Sequence, residues 1–324
     1  MKNKKTLTTL ALMLGVYALG HILILTGVIN DYSFAVLATT GINIILATSL
    51  NLVTGFTGQF SLGHAGFMSI GAYVCAIITQ RVEGTVGFVL GVLAGASAAA
   101  LVGVLVGLPT LRLRGDYLAI ATLGMAEIIR VLFLNMEITN GAAGLSFLPR
   151  FVDWNWLFLL TAGTLVLLSN FLHSSPGRAC ISVREDEIAA ESMGINTTKY
   201  KVTAFSMGAF FAGVAGAMYA SYFYFLKPDL FNFNKSIDIL VIVVLGGMGS
   251  LSGSVIAAVL LQLISTWLSA FPELRMVIYS LMLVAIMLFR PQGLLGSTEV
   301  TELLSQKLPQ LFGGKGGQKK EEGV

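Results

Sequence analysis

Residues 32–80 have the sequence YSFAVLATTGINIILATSLNLVTGFTGQFSLGHAGFMSIGAYVCAIITQ, which contains no Asp, Glu, Lys or Arg. A helix needs about 20 mostly apolar residues to cross the hydrocarbon core of a bilayer. The stretch therefore has room for two membrane spans and a short segment between them. Of all 324 residues, 55% are apolar and 11% are charged, whereas soluble domains carry about 25% charged residues. These values exclude an ordinary soluble enzyme and predict a polytopic membrane protein.

Similar uncharged stretches predict an all-α transmembrane helix bundle of about ten spans, with possible broken helices. The segment 237–248 is too short to cross alone, and we expect it to be tilted or broken. The apolar run at the start exceeds the about 7–15 residues of a signal-peptide core, which favours an uncleaved first span. The predicted spans are 7–29, 33–52, 66–80, 85–108, 116–134, 156–173, 202–226, 237–248, 254–271 and 275–289.

The distribution of Lys and Arg predicts the orientation, because these residues are enriched in cytoplasmic loops. With ten spans and the N-terminus inside, 14 of them fall on the cytoplasmic side and five outside, while Arg130 lies within a span. Both termini are therefore expected in the cytoplasm. We expect a transmembrane permease domain over 1–296 and a disordered cytoplasmic tail over 297–324, which is rich in Gly, Lys and Glu.

Small residues recur at every fourth position in two predicted spans. Lipid gives helices no hydrophobic reason to associate, so close backbone approach supplies packing energy. The two ridges predict helices packed tightly inside the bundle, and static packing is favoured over a sliding surface for either ridge alone. The glycines of these ridges are Gly87, Gly91, Gly95 and Gly103 in the fourth span and Gly208 and Gly216 in the seventh.

Residues 55–66 combine four glycines with polar side chains inside the charge-free stretch. Two interpretations stay open: a broken helix whose backbone groups bind a polar or zwitterionic solute, and a polar loop at the cytoplasmic surface. A second glycine cluster, 246–253, repeats the spacing Gly-x-x-Ser-Leu and hints at an internal repeat. The candidate residues of a translocation path are Gly58, Gln59, Ser61, Gly63, His64, Gly247, Gly249 and Ser250.

The remaining charged residues and the cysteines do not predict a catalytic site. Glu127 and Arg130, three residues apart, are expected to pair on one helix face, and Asp238 is expected in solvent at the outer mouth of the eighth span. Cys75 and Cys180 are expected to be free thiols. The three histidines are scattered, so neither a catalytic nor a metal site is predicted. No phosphate-loop spacing occurs, so any ATP must be hydrolysed by another chain.

The longest charged loop on the cytoplasmic side spans about 174–200. Strong helix formers over 184–193, followed by Gly194 in a position suited to C′, predict a short charged helix at the membrane surface. On the charge pattern alone, a solvated loop is favoured.

This loop resembles the cytoplasmic E-A-A-x3-G loop of permeases of bacterial ATP-binding-cassette importers, with Ile188 between the acid and the alanines. Longer stretches, covering most of the chain in order, are similar to the branched-chain amino acid permease family of Liv M type. These stretches are Gly55–Tyr73, Leu111–Arg130, Ser175–Ala217, Ser236–Gly253 and Arg290–Leu294.

The resemblance implies a permease subunit that moves leucine, isoleucine or valine across the bacterial inner membrane. It also implies a second homologous permease, two ATPase subunits that bind ATP and Mg, an extracytoplasmic solute-binding protein, and no nucleic-acid partner. Permeases for urea and short-chain amides are nearly as similar, and a stand-alone secondary transporter or channel is the alternative of another class. The loop would form the coupling helix that docks on the ATPase, through Arg184, Glu185, Asp186, Glu187, Ala189, Ala190 and Gly194.

Overall fold

The computed structural model describes residues 2–268 except 112 and 114, together with positions 271, 277, 278, 280, 281, 284, 288, 293, 294 and 296. Most of the predicted tenth span, most of the Arg290–Leu294 stretch and all of the predicted tail lie outside these residues. The helices are α1 Lys2–Leu25, α2 Asp31–Asn51, α3 His64–Arg81, α4 Gly84–Thr110, α5 Asp116–Asn135, α6 Trp154–His173, α7 Ser175–Glu185, α8 Glu187–Ser192, α9 Thr197–Tyr222, α10 Phe233–Gly246 and α11 Leu251–Trp267.

Short elements connect some of these helices. A π-helical segment, Leu52–Phe56, extends α2, and 3-10 turns occupy Glu137–Thr139, Gly141–Ala143 and Pro228–Phe231. Strand β1, Leu145–Ser146, pairs in antiparallel fashion with strand β2, Phe225–Leu226.

Within the described part of the chain, five helical segments are long and apolar enough to cross a membrane, which confirms a multi-pass helical bundle. They are Asp31–Phe56, Gly84–Thr110, Asp116–Asn135, Trp154–His173 and Thr197–Tyr222. The predicted eighth span is α10, whose 14 residues extend about 21 Å, short of the about 30 Å of a hydrocarbon core. As the sequence predicts, this helix cannot cross alone. The count of ten spans stays a prediction.

Helix α9 lies at the centre of the bundle, where it packs against α2, α3 and α4. The glycines of its ridge leave no room for a side chain: a Cβ on Gly216 would overlap the carbonyl oxygen of Met68 in α3, and one on Gly208 would overlap a methyl group of Val53. A different face of α9, at Gly213, lies against α4. Close approach therefore occurs on two faces of the same helix.

The ridge on α4 is shared between two partners. A Cβ on Gly91 or Gly95 would lie under 3 Å from atoms of Cys75 or Gly71 in α3. Farther along the helix, Gly103 faces Ala209 of α9, whereas Gly87 lies against the residues that precede α4 itself. Helix α4 is thus in van der Waals contact with α3 over its first half and with α9 over its second.

The loops at the extracytoplasmic end predicted by the charge bias pack on one another. The Arg150 guanidinium lies over the rings of Phe34 (5.6 Å) and Tyr222 (4.6 Å). The predicted pair of Glu127 and Arg130 is confirmed at 2.8 Å. Arg130 also bonds Asp229 of the turn before α10, at 3.0 Å.

The single helix predicted over 184–193 is wrong, because the chain breaks at Asp186. Its backbone is extended (φ −154°, ψ 110°), and its carboxylate accepts hydrogen bonds from the N–H groups of Ile188 (2.9 Å) and Ala189 (3.0 Å). An aspartate in this conformation satisfies the free donors at the start of the next helix. The backbone of Gly194, with φ +82°, has the left-handed conformation that a C′ position requires.

Candidate functional site

The glycine-rich segment after α2 is a buried break between two helices. The π-helical segment ends at Phe56, and residues 57–63 are not helical. Gln59 is 3% exposed, Ser61 and His64 are 2% exposed, and Gly58 has φ +72°. These three buried polar side chains would be out of place in a solvated surface loop. The burial therefore favours the broken-helix interpretation.

Side chains from three other helices hold this segment, which we call the first break. Ser49 Oγ of α2 and His64 Nε2 form a hydrogen bond of 2.8 Å, both groups buried. The N–H of Leu62 donates to Thr122 Oγ1 of α5 at 3.1 Å. An N–H at the start of α3 donates to Ser236 Oγ of α10 at 3.3 Å. His64 is thus hydrogen-bonded to a hydroxyl group of α2, which supports a structural role for this histidine.

The side-chain amide of Gln59 is the unsatisfied group of the first break. Neither Nε2 nor Oε1 has a hydrogen-bond partner among the described residues, although both atoms are buried. Burying an amide without partners costs free energy, so buried polar groups in native proteins are usually paired with protein or ordered water. The first break thus offers a donor and an acceptor to a polar molecule.

The second glycine cluster, which we call the second break, separates α10 from α11. Helix α10 ends at Gly246, and both Gly247 (φ +110°) and Gly249 (φ +95°) have backbone conformations that favour glycine. Ser250 caps α11, because its Oγ accepts a hydrogen bond of 3.1 Å from the N–H of Gly253. Both predicted glycine clusters are therefore interruptions between helices.

Asn51 joins the two breaks. Its Nδ2 donates to the Ser250 carbonyl oxygen and to Ser254 Oγ, each at 2.8 Å, and its Oδ1 accepts from the N–H of Gly249 at 2.9 Å. The residue is fully buried. Asn51 was not singled out from the sequence. The signal that could have found it is a polar residue at the end of an apolar span, four residues before Gly55.

Arg184 brings the predicted coupling segment to the same place. Its Nη1 donates a hydrogen bond of 2.7 Å to the Gly55 carbonyl oxygen, and its guanidinium also pairs with Glu185. A Cβ on Gly58 would lie 3.0 Å from Arg184 Cγ, and one on Gly249 would lie 2.8 Å from Nη1. One side chain therefore contacts both breaks.

Helix α8 is tied to the bundle on one side and exposed on the other. Glu187 Oε1 accepts a hydrogen bond of 2.6 Å from Lys201 Nζ of α9, and Ala190 is buried. Ile188 is 70% exposed and Met193 is 83% exposed. The other predicted coupling positions, Glu185, Asp186, Ala189 and Gly194, are also exposed.

Cys180 lies in α7 and is buried, although the sequence suggested a charged loop around it. Burial raises the pKa of its thiol to about 11, so the reactive thiolate is scarce at neutral pH. Both cysteines are free, as predicted. No group of three or more His, Cys, Asp or Glu side chains suited to a metal ion occurs within the described part of the chain.

Asp238, expected in solvent at the outer mouth of the eighth span, is only partly exposed. Helix α10 begins at Phe233, so Asp238 lies in its second turn and faces the neighbouring helices. There it is half-buried and lines a polar cavity of about 160 Å³ between α2, α10 and α11.

Comparison with known proteins gives a consistent result. Residues 32–287 match the family described as branched-chain amino acid transport system / permease component. The chain is 40% identical over 294 residues to the high-affinity branched-chain amino acid transport system permease protein LivM of Escherichia coli, covering 80% of this chain and 69% of that protein. It is 24% identical over 292 residues to LivH of the same organism, covering 80% and 92%. No solved structure matches the chain.

Proposed function

The chain belongs to the branched-chain amino acid transport permease family, and we propose that it is the membrane-spanning permease subunit of an ATP-driven importer of leucine, isoleucine and valine. In this proposal the chain crosses the bacterial inner membrane about ten times, with both termini in the cytoplasm. Residues 1–296 form the permease domain, and 297–324 form a cytoplasmic tail. The names of the relatives support the solute class.

We propose that α8, within the loop 174–200, is the coupling helix. The observation that carries this role is the contact of Arg184 with Gly55, which links the loop to the first break. Ile188 and Met193 present apolar side chains away from the bundle, and apolar groups at the centre of an interface supply much of its binding energy. The ion pair between Glu187 and Lys201 transmits force from α8 to α9.

In the proposed mechanism, this chain moves a solute and performs no covalent chemistry. Two partner ATPase subunits bind ATP and Mg²⁺, and their closure displaces α8. Arg184 passes the displacement to both breaks, where backbone segments outside the regular helical hydrogen-bond pattern change conformation at lower cost than a continuous helix. A second homologous permease completes the pathway, and an extracytoplasmic binding protein delivers the solute. The small-residue contacts of α4 and α9 hold the rest of the bundle.

The test is ATP-dependent uptake of labelled leucine by the complete complex in proteoliposomes. We expect uptake to require ATP, the ATPase subunits and the binding protein, and unlabelled isoleucine to compete better than urea or acetamide. Uptake that persists without the ATPase subunits would indicate a secondary transporter or channel. Preferential competition by urea or amides would assign the alternative solute class.

A further inference from the structure

The cavity between α2, α10 and α11 carries charges of both signs within a mostly apolar bundle. Lys235, Asp238 and Ile242 line it from one face of α10, at spacings of three and four residues. Asn43 lines it from α2, and Gln262 from α11. Ionisable residues within membrane bundles are costly and mark solute or ion pathways. The composition of this cavity therefore needs an explanation beyond packing.

A chain of hydrogen bonds crosses the three helices at the cavity wall. Lys235 Nζ donates to Asn43 Oδ1 at 3.2 Å, and Asn43 Nδ2 donates to Gln262 Oε1 at 3.1 Å. These bonds fix the direction of both amides, so the second polar atom of the Gln262 side chain, Nε2, is a donor. Asp238 supplies an acceptor on the same wall. The donors and the anionic acceptor thus stand at fixed positions around one space.

The rest of the wall combines the hydroxyl groups of Thr39 and Ser265 with an apolar patch. Ile242 is 5% exposed and Leu261 is 2% exposed, and both line the cavity. The volume of about 160 Å³ is below the about 300–1,000 Å³ of sites for drug-sized ligands, so the ligand is small. An ammonium, a carboxylate, two amides and an apolar wall in this space match a free α-amino acid with an aliphatic side chain.

The cavity also has a defined place relative to the breaks. Asn43 and Asn51 are eight residues apart on α2, a separation of about 12 Å along a helix. Helices α2, α10 and α11 all run from the cavity to the breaks. A solute in the cavity would therefore lie about two helical turns from the junction that Arg184 contacts.

We infer that this cavity is a binding site for a zwitterionic aliphatic amino acid, with Lys235 and Gln262 facing the carboxylate and Asp238 facing the ammonium group. The inference rests on the proposed function and deepens it, because it places the solute within this subunit. Urea and simple amides carry no charge and cannot form ion pairs with Lys235 and Asp238, so the site selects against them.

The test is protection of an introduced cysteine from a small thiol reagent in the complete complex in nanodiscs. The reporter is Thr39→Cys, which lines the cavity; the native cysteines are buried. With leucine at ten times its dissociation constant, labelling should slow about tenfold. Leucinamide, which lacks the carboxylate, should not protect. Phe147→Cys, at a side chain that is 94% exposed outside the cavity, should label equally with and without leucine.

Charge-neutral variants of the two ionisable residues complete the test. Lys235→Gln and Asp238→Asn, each combined with Thr39→Cys, should still be labelled but should lose protection by leucine. A second reporter, Ser265→Cys on α11, should behave like Thr39→Cys. If neither cysteine reacts, the cavity is closed to a small solute and the inference is overturned.

Two further outcomes separate this inference from the proposed function. If the unmodified complex imports leucine but leucine protects neither reporter, the site lies elsewhere and the function stands. If leucinamide protects as well as leucine, the cavity does not recognise a zwitterion. A complex that imports no leucine at all would overturn the function and this inference together.

Discussion

Arg184 Nη1 and the Gly55 carbonyl oxygen are joined by a hydrogen bond of 2.7 Å, although 129 positions separate the two residues in the sequence. The carbonyl lies in the π-helical segment, where regular helical hydrogen bonding ends. A charged donor that satisfies such a group contributes more than a neutral one. This contact joins the charged loop to the first break and is the basis of the proposed coupling.

Replacing Arg184 should uncouple transport from ATP hydrolysis. Arg184→Gln removes the charged donor, and a hydrogen bond to a charged group contributes about 1.5–3 kcal/mol, so we expect solute-stimulated hydrolysis to fall about tenfold or more. Arg178→Gln is the matched control, because Arg178 on the same helix donates to the nearby His173 carbonyl oxygen. Equal stimulation in the two variants would contradict the role of Arg184.

Polar substitution on the exposed face of α8 should weaken binding of the ATPase subunits. Burying an aliphatic or Met side chain contributes about 1.5–3 kcal/mol, so Ile188→Ser and Met193→Ser should each lower the affinity about tenfold or more. The measurement is the amount of ATPase retained by tagged permease, with unchanged thermal stability of the permease alone. Phe147→Ser, which changes an exposed apolar residue in the loop between α5 and α6, should retain the ATPase fully.

Removing the Asn51 amide should destabilise the fold. Asn51→Ala leaves the Gly249 N–H without its acceptor, whereas the Ser250 carbonyl oxygen keeps its hydrogen bonds from Ser254. An unsatisfied buried group costs about 1–3 kcal/mol. We expect a lower melting temperature in the same detergent. Asn135→Ala removes an exposed asparagine that bonds only within its own helix and should melt like the unmodified protein. Equal melting temperatures of the two variants would show that the Asn51 amide does not stabilise the junction.

Adding a methyl group at Gly216 should separate α9 from α3. Its Cβ would overlap the Met68 carbonyl oxygen, and overpacking of a tight interior costs about 1–3 kcal/mol. Gly163→Ala is the control, because nothing lies within 4 Å of that Cβ position on α6. Because alanine favours a helix over glycine by about 1 kcal/mol, Gly163→Ala should be as stable as the unmodified protein or more stable. A destabilised Gly163→Ala variant would argue against packing as the cause.

The helices followed from the sequence more readily than their contacts. Helix α5 begins at Asp116, as predicted, because a charge marks the end of an apolar stretch. The Glu127 and Arg130 pair was also predictable, since both lie on one helix face. The bonds of Asn51 to residues almost 200 positions away leave no trace in local spacing. The division at Asp186 was missed because the helix formers around it were weighed above its capping carboxylate.

The pairing of β1 with β2 has a mechanical consequence. Backbone hydrogen bonds and the stacked Arg150 join the start of α6 to the end of α9, at the rim that the charge bias predicts to be extracytoplasmic. Single side chains such as Arg184 and Lys201 make links at the opposite end. We therefore expect the bundle to deform less near the strand pair than near α8. We expect a displacement of α8 to tilt the helices about the strand pair. The movement would then be largest near α8, where the ATPase is proposed to bind, and smallest near the strand pair.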